Sequence, residues 1–187
     1  MNRIDIINHL IKKYKYVSYL EIGVENGVSL NGVECEKKIG VDPASEHATY
    51  HVTSDEFFAS NQDLFDIIFI DGLHEAEQVK RDIANALVYL KDGGRIVMHD
   101  CNPTSEQLQK VPREQLEWTG DVWKAYIAYR KEGNIEMYVV DTDYGVGVLN
   151  PSKSGRPLEL EINTYQDLDD HRKEALNLIS VEEFMKP

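Results

Sequence analysis

Acids, glycines and histidines recur in this chain just after short apolar runs, where side chains can hold a ligand rather than fill a core. One run ends in Tyr-Leu-Glu21-Ile-Gly23-Val-Glu25-Asn-Gly27 and the next in Gly40-Val41-Asp42. Gly23 lets the backbone turn tightly, and Gly27 lets the following helix approach a ligand closely. Asp42 stands where a carboxylate can accept hydrogen bonds from both hydroxyls of a ribose. The spacing suits a nucleoside-bearing ligand draped over the ends of two adjacent parallel strands. Glu21 and Glu25 decide its charge. Glycine turns at helix starts commonly cradle a pyrophosphate, but two carboxylates beside this one repel phosphate and suit a cationic or zwitterionic ligand. The third glycine of the nicotinamide fingerprint G-x-G-x-x-G is also absent. A turn between strand and helix that binds nothing is the plainer alternative.

The pattern repeats downstream. Ser54 and Asp55 follow a weak apolar run, Asp71-Gly72-Leu-His74 follows a strong one, and His99-Asp100-Cys-Asn102 follows the next. In open α/β sheets ligands bind outside the carboxyl ends of the strands, where all of these residues fall. Imidazole titrates near neutrality, so His74 or His99 could serve as a general base. Each has a simpler role open to it. Ser54 and Asp55 could cap a short helix, Asp71 could bind amides at the next helix start, His74 could begin that helix, and His99 could be a satisfied core residue. Trp118 could line a pocket and Lys124 recognise an anion, or Trp118 and Trp123 could pack a loop and helix onto the sheet. Tyr144 and Gly145 form a turn near the same edge.

The elements that must position these residues are legible from periodicity. Ile4, Ile7, Leu10, Ile11 and Tyr14 recur at helical spacing, and Val17 to Ile22 reads as a strand. A helix is expected from about 29 to 37, then a strand at 39–42 stopped by Pro43, and a weak strand at 50–53. Phe65 to Asp71 is apolar on both faces, as central parallel strands are. Ala76, Val79, Ile83, Ala86, Leu87 and Leu90 make one helical stripe. Asp92-Gly93-Gly94 turns into a strand from Arg95 to His99. Strands alternating with helices argue for a parallel sheet covered on both faces. Residues 101–120 break the pattern, as functional loops and lids do. Asp121 then looks like the cap of a helix to about Lys131. Glu136–Val140 and Val146–Leu149 read as an antiparallel hairpin. Leu158, Leu160 and Ile162 alternate with acids, which allows an edge strand. Thr164 and Ser180 open capping patterns for two closing helices.

Composition narrows the function. The 187 residues fit one domain. A net charge of −13 disfavours a binder of nucleic-acid backbone. Cys35 and Cys101 lack metal or disulfide spacing and read as reduced thiols of a cytoplasmic protein. No signal peptide is visible, and no apolar run approaches the ~20 residues that span a bilayer.

Glu21-x-Gly23-x-x-x-Gly27 resembles the first motif of class I S-adenosylmethionine-dependent methyltransferases. Asp71-Gly72-x-His74, Gly93-Gly94-Arg-Ile-Val-Met-His99-Asp100 and Trp118-Thr-Gly-Asp121-Val-Trp123-Lys124 are similar to a subgroup that acts on small molecules. The resemblance implies an α/β, Rossmann-like, seven-stranded sheet in the order 3-2-1-4-5-7-6, its last strand antiparallel, with helices on both faces. It makes residues 1–187 one domain, with a core at about 17–150 and a C-terminal extension at 151–187. It implies that the glycine turn at Gly23 holds the methionine part of S-adenosylmethionine, that Asp42 holds the ribose, and that Ser54 or Asp55 meets the adenine edge, with Glu21, Gly27 and Asp71 also among the cofactor-binding residues. Some relatives that methylate hydroxyls hold Mg²⁺ with acids at the ends of strands four and five, where Asp71 and Asp100 stand. Such a metal would acidify and orient an acceptor hydroxyl. The chain departs from those patterns. The catechol-type site has Asn directly after Asp, whereas here Cys101 intervenes before Asn102, and another pattern has Glu where this chain has His99. The implied activity is methyl transfer to a hydroxyl of a sugar or secondary metabolite, with His74, Asp71 and Asp100 as catalytic residues. A small-molecule acceptor, a homodimer, and no nucleic acid or membrane complete the expectation. The rivals are a nicotinamide-dependent oxidoreductase and a non-catalytic cofactor-binding protein of the same fold.

Overall fold

A computed structural model describes residues 1–186. Its centre is the parallel trio β1 (Ser18–Ile22), β3 (Phe65–Ile70) and β4 (Leu90–Met98), with β2 (Lys37–Val41) beside β1. Phe65-Asp-Ile-Ile-Phe-Ile70 is buried except at Asp66. That carboxylate accepts from Val17 N, Ser18 N and Ser18 Oγ at 2.8–3.0 Å and pairs with Lys91 Nζ at 3.1 Å, tying the starts of three strands together. Alternation along each strand sends side chains to opposite faces. Leu20, Ile68 and Ile96 pack with α3 (Ser54–Ser60), α4 (Ala76–Tyr89), α5 (Val122–Glu132) and α6 (Tyr165–Ala175). Tyr19, Ile67, Phe69 and Val97 pack with α1 (Arg3–Tyr14), α2 (Val28–Gly32) and α7 (Val181–Phe184). Each fully buried Ile or Phe of these layers contributes ~1.5–3 kcal/mol of transfer free energy.

The hairpin of β5 (Glu136–Val140) and β6 (Val146–Asn150) completes the main sheet, with β6 antiparallel to β4. A two-residue strand β7 (Leu178–Ile179) adds parallel to β5, giving the order β2-β1-β3-β4-β6-β5-β7. This is the expected seven-stranded, Rossmann-like α/β architecture with an antiparallel hairpin strand. It differs in detail at its edges. The weak strand at 50–53 is a single parallel bridge from Val41 to Tyr50, because Thr53 is used as the cap of α3. The place is made up at the far edge by β7.

Three local expectations are corrected. The helix at 29–37 ends at Gly32, since Lys37 already pairs with Ser18 in the ladder, and Lys38 Nζ donates to the freed carbonyls of Leu30 and Val33 at 2.7 and 3.0 Å. Residues 158–162 form no strand: β7 holds the sheet edge, while Leu158 and Ile162 bury in the helical layer. The cap of α3 is Thr53, not Ser54 or Asp55. The caps at Thr164 and Ser180 form as expected. Among the described residues no helix is long and apolar enough to cross a membrane.

Candidate active site

Parallel β1, β2, β3 and β4 all end at one edge of the sheet, and antiparallel β6 starts there, so the turn between β5 and β6 joins them. A cleft of about 930 Å³ runs along this edge. Glu21, Gly23, Asp42, Ser54, Asp55, Asp71, His74, His99 and Asp100 all line it. Gly27 does not. It precedes α2 at φ +75° and packs against His47 and Asn31.

At one end Gly23 carries the turn, with φ +88°. A Cβ there would lie 2.1 Å from the Asp71 carbonyl oxygen, so only glycine lets the first turn pass beneath the end of β3. Glu21 is buried to 1% exposure, yet its carboxylate faces the cleft and accepts the Tyr19 hydroxyl. Burial pushes Glu21 up to about 7, against the hydrogen bond from Tyr19. Asp42 does more than face a ligand. Its Oδ2 accepts Val24 N and Glu25 N, both at 3.0 Å, and its Oδ1 accepts Ala44 N and Ser45 N at 2.8 and 2.9 Å. Partial burial opposes ionisation, but these four amides hold the carboxyl below its usual range. Asp42 therefore fixes the loops after β1 and β2 relative to each other. Ser54 donates to the buried Asp82 at 2.6 Å, and Asp55 lies 3.5 Å from Arg81.

Beside this turn, at the ends of β3 and β4, is a knot of charge. His74 Nδ1 is 3.0 Å from Asp100 Oδ2, and its Nε2 is 3.4 Å from Asp71 Oδ1. His99 Nδ1 lies 3.3 Å from Asp71 Oδ1 and 3.2 Å from Asp100 Oδ1. His99 Nε2 faces Asp143 at 3.4 Å, and Arg3 reaches both Asp143 (3.0 Å) and Asp71 (3.7 Å). Burial opposes charge throughout, but the partners win. Both histidines are raised, His99 the more, by the neighbouring carboxylates; Asp71 is held well below the usual carboxylate range by His99 and His74. Asp143 is lowered chiefly by its bond with His99. Asp100 takes a left-handed φ of +58°, which turns its carboxylate back toward β3.

The irregular segment 101–120 roofs this end. Arg113, Leu116, Glu117, Trp118 and Thr119 line the cleft, and Trp118 stacks on His74 with ring centroids 5.4 Å apart. Tyr144, from the hairpin turn, donates to Glu117 across the opening. The segment returns at Gly120, whose φ is +59°. Asp121 N donates to His74 O at 3.1 Å, and Asp121 Oδ1 accepts Ala76 N at 2.7 Å. Asp121 thus caps α4 rather than its own helix. A Cβ on Gly120 would sit 1.8 Å from the His74 carbonyl oxygen. Gly120→Ala is expected to lower stability by at least ~1–3 kcal/mol, read as a lower urea midpoint at unchanged slope.

Some expected residues are elsewhere. Lys124 pairs with Asp121 at 3.0 Å and lies outside the cleft, so it meets no ligand there; Trp123 is core. Asn102 turns away to Asp141 and Arg172, and Gly145 packs against it. Arg3 and Asp143 are in the site without having been singled out from sequence. Arg3 precedes the first apolar stripe and carries no motif. Asp143 was within reach, because a hairpin antiparallel to the last parallel strand must return its turn to this edge.

Residues 37–101 match the family described as a methyltransferase domain. No curated protein sequence matches the chain. Among solved structures it is similar to the O-methyltransferase from Bacillus cereus in complex with S-adenosylhomocysteine (14% identity, 80% of this chain and 82% of that one, TM-score 0.57). It is similar also to an S-adenosylhomocysteine-bound methyltransferase from Podospora anserina (15% identity, 77% and 75% covered, TM-score 0.58). A third is the MycE methyltransferase of mycinamycin biosynthesis, in complex with Mg, S-adenosylhomocysteine and mycinamycin VI (18% identity, 84% and 50% covered, TM-score 0.50).

Proposed function

We propose that this chain is a class I S-adenosylmethionine-dependent methyltransferase, a reading its matched segment and its fold support, and that it methylates a hydroxyl of a small molecule. The observation that carries the reading is what this cleft brings together: a buried carboxylate and a glycine turn at the end of β1, and beside them an acid–imidazole cluster under an aromatic roof at the ends of β3 and β4. S-adenosylmethionine, when bound, supplies a methyl group on a sulfonium.

The residues present fit that donor. Glu21, destabilised as an anion by burial, gains a partner in the ammonium of the methionine part. The turn at Gly23 admits the chain of that part close to the backbone. Asp42, its oxygens each already accepting two backbone amides, acts by holding this turn in place beside the ribose rather than by free lone pairs, and Ser54 and Asp55 border the place for the base. At the ends of β3 and β4, an acceptor hydroxyl entering between His74 Nε2 and Asp71 Oδ1, now 3.4 Å apart, would pass its proton to Nε2 while its oxygen bonds the methyl carbon in line and the sulfur–methyl bond breaks, releasing S-adenosylhomocysteine. Asp71 and Asp100 flank the His74 ring and stabilise the imidazolium that forms. Trp118 covers the histidine and excludes water.

The acid pair is a poorer fit to Mg²⁺. Asp71, His74 and Asp100 bring ligand atoms within 4.8 Å of one another. Mg²⁺ demands near-octahedral oxygen donors, and here one of the three is an imidazole. Asn102, the neighbour a catechol-type site would use, faces Asp141 instead. No step is routed through a metal.

Both cysteines are unpaired, Cys101 in the core and Cys35 half-buried, as suits a reducing cytoplasm. Thermal shifts with S-adenosylhomocysteine, NAD and NADP test the cofactor. At a concentration about 100 times Kd the first should stabilise the fold by ~2.7 kcal/mol, a rise of roughly 5–10 °C in Tm. A rise with NAD alone would end the methyl-transfer reading. Transfer of labelled methyl from S-adenosylmethionine into a metabolite extract then tests catalysis.

A further inference from the structure

We propose that the chain supplies its own cation between Asp71 and Asp100: the His99 ring, backed by Arg3, stands where a divalent ion would sit, and acceptor activation is metal-independent. The argument is one of occupancy. His99 Nδ1 lies between the two carboxylates, 3.3 Å from Asp71 Oδ1 and 3.2 Å from Asp100 Oδ1. The remaining oxygens are also taken up. Asp100 Oδ2 faces His74 Nδ1 at 3.0 Å, and Asp71 Oδ2 faces Arg3 Nε at 3.7 Å. No oxygen of the pair is left facing open cleft without a nitrogen beside it.

His99 is also held there from behind. Its side chain is only 8% exposed, and its Nε2 lies 3.4 Å from Asp143 Oδ1 and 3.3 Å from Arg3 Nη1, so the two basic groups share Asp143. Asp143 is itself anchored by Arg3, through the backbone N at 2.9 Å and the guanidinium at 3.0 Å. A ring fixed from both sides is not a side chain that swings aside for an ion. Three carboxylates (Asp71, Asp100, Asp143) therefore meet three basic side chains (Arg3, His74, His99), all from this chain. His99 is thus a positioning residue: it holds the acid pair around His74 without reaching the acceptor.

Metal-stripped protein is titrated with Mn²⁺ while the paramagnetic signal of the free ion is followed. The wild-type chain is compared with His99→Asp and His99→Asn, and circular dichroism reports folding. Wild type should leave the free-ion signal at its buffer value. Either variant, with the basic ring replaced by an oxygen-bearing side chain, should bind Mn²⁺ at least about tenfold more tightly than wild type. Uptake of Mn²⁺ by wild type that Asp100→Asn abolishes would overturn the proposal, as would folded His99 variants that gain no binding. Should the variants not fold, the wild-type titration decides alone. The titration does not depend on the methyl-transfer reading, whose failure would appear separately as a missing thermal shift with S-adenosylhomocysteine on the same samples.

Discussion

His74→Ala is expected to lower the methyl-transfer kcat by ~10²–10⁴-fold, the range of a positioned general base, while S-adenosylhomocysteine binds within a few-fold of wild type. The separation follows from function: His74 bonds Asp71 and Asp100, whereas the donor contacts are assigned to Glu21 and the Gly23 turn on the neighbouring strand. The fold should survive, because the Asp121 N bond that anchors the roof runs to the backbone oxygen of His74, although the ring's contact with Trp118 O at 3.2 Å and its stack on that indole are lost. The pH profile supplies a second reading. The His74 imidazole is raised above its ordinary value, since its carboxylate neighbours outweigh burial. The base must be neutral to accept a proton. The wild-type rate should therefore climb with pH through and beyond the ordinary imidazole range and level off above the raised pKa. The variant's residual rate should lack that limb. A variant that loses cofactor affinity in step with kcat would place His74 in binding instead.

Glu21→Gln carries the second large effect. A charge-assisted hydrogen bond to a buried carboxylate is worth ~1.5–3 kcal/mol, so the variant should bind S-adenosylhomocysteine ~10–100-fold more weakly by calorimetry. Glu21 titrates at about 7 in the free protein. An ammonium needs the carboxylate ionised, so wild-type affinity should rise with pH up to about 7 and flatten beyond, while the variant shows little slope there. Stability moves oppositely. A carboxyl whose folded pKa exceeds its unfolded one stabilises the fold below the unfolded value, and that contribution is lost as pH rises through the folded value. The free wild-type protein should lose as much as ~3 kcal/mol between pH 4.5 and 8 from this group, and Glu21→Gln should not. Equal slopes in urea titrations of the two proteins across that range would refute the assignment.

Legibility from sequence tracked how local the determining physics is. Phe65–Ile70 and the stripe from Ala76 to Leu87 declare themselves because burial on both faces, or on one, writes directly into residue type. The cleft residues on β1, β3 and β4 were legible for a related reason: a parallel strand must end at the ligand edge, so a polar residue there stands out against an apolar run. The far members were not. Arg3 enters the site only because α1 packs on the sheet with its first turn at that edge, a tertiary fact. Thr53, rather than its neighbours, caps α3 because its hydroxyl meets Glu56 N while the Glu56 side chain returns to Thr53 N; Ser54 and Asp55 in the same string cannot be told from it by composition. The roof at 101–120 has no period at all. Its path is set by single bonds such as Trp118 Nε1 to Lys110 O at 2.6 Å and Thr119 N to Leu108 O at 3.0 Å.

The double anchoring of that roof bears on how acceptor choice can change over generations. One end is clamped where Arg172 holds Asn102 and the Pro103 carbonyl, the other where Asp121 holds both His74 and the start of α4. The stretch between is a span with fixed footings. Insertions, deletions and substitutions there can reshape the acceptor's surroundings while the proton-accepting edge below keeps its geometry. On the proposed function, a chimera carrying a foreign span between the same footings should change acceptor while S-adenosylhomocysteine binding stays unaltered.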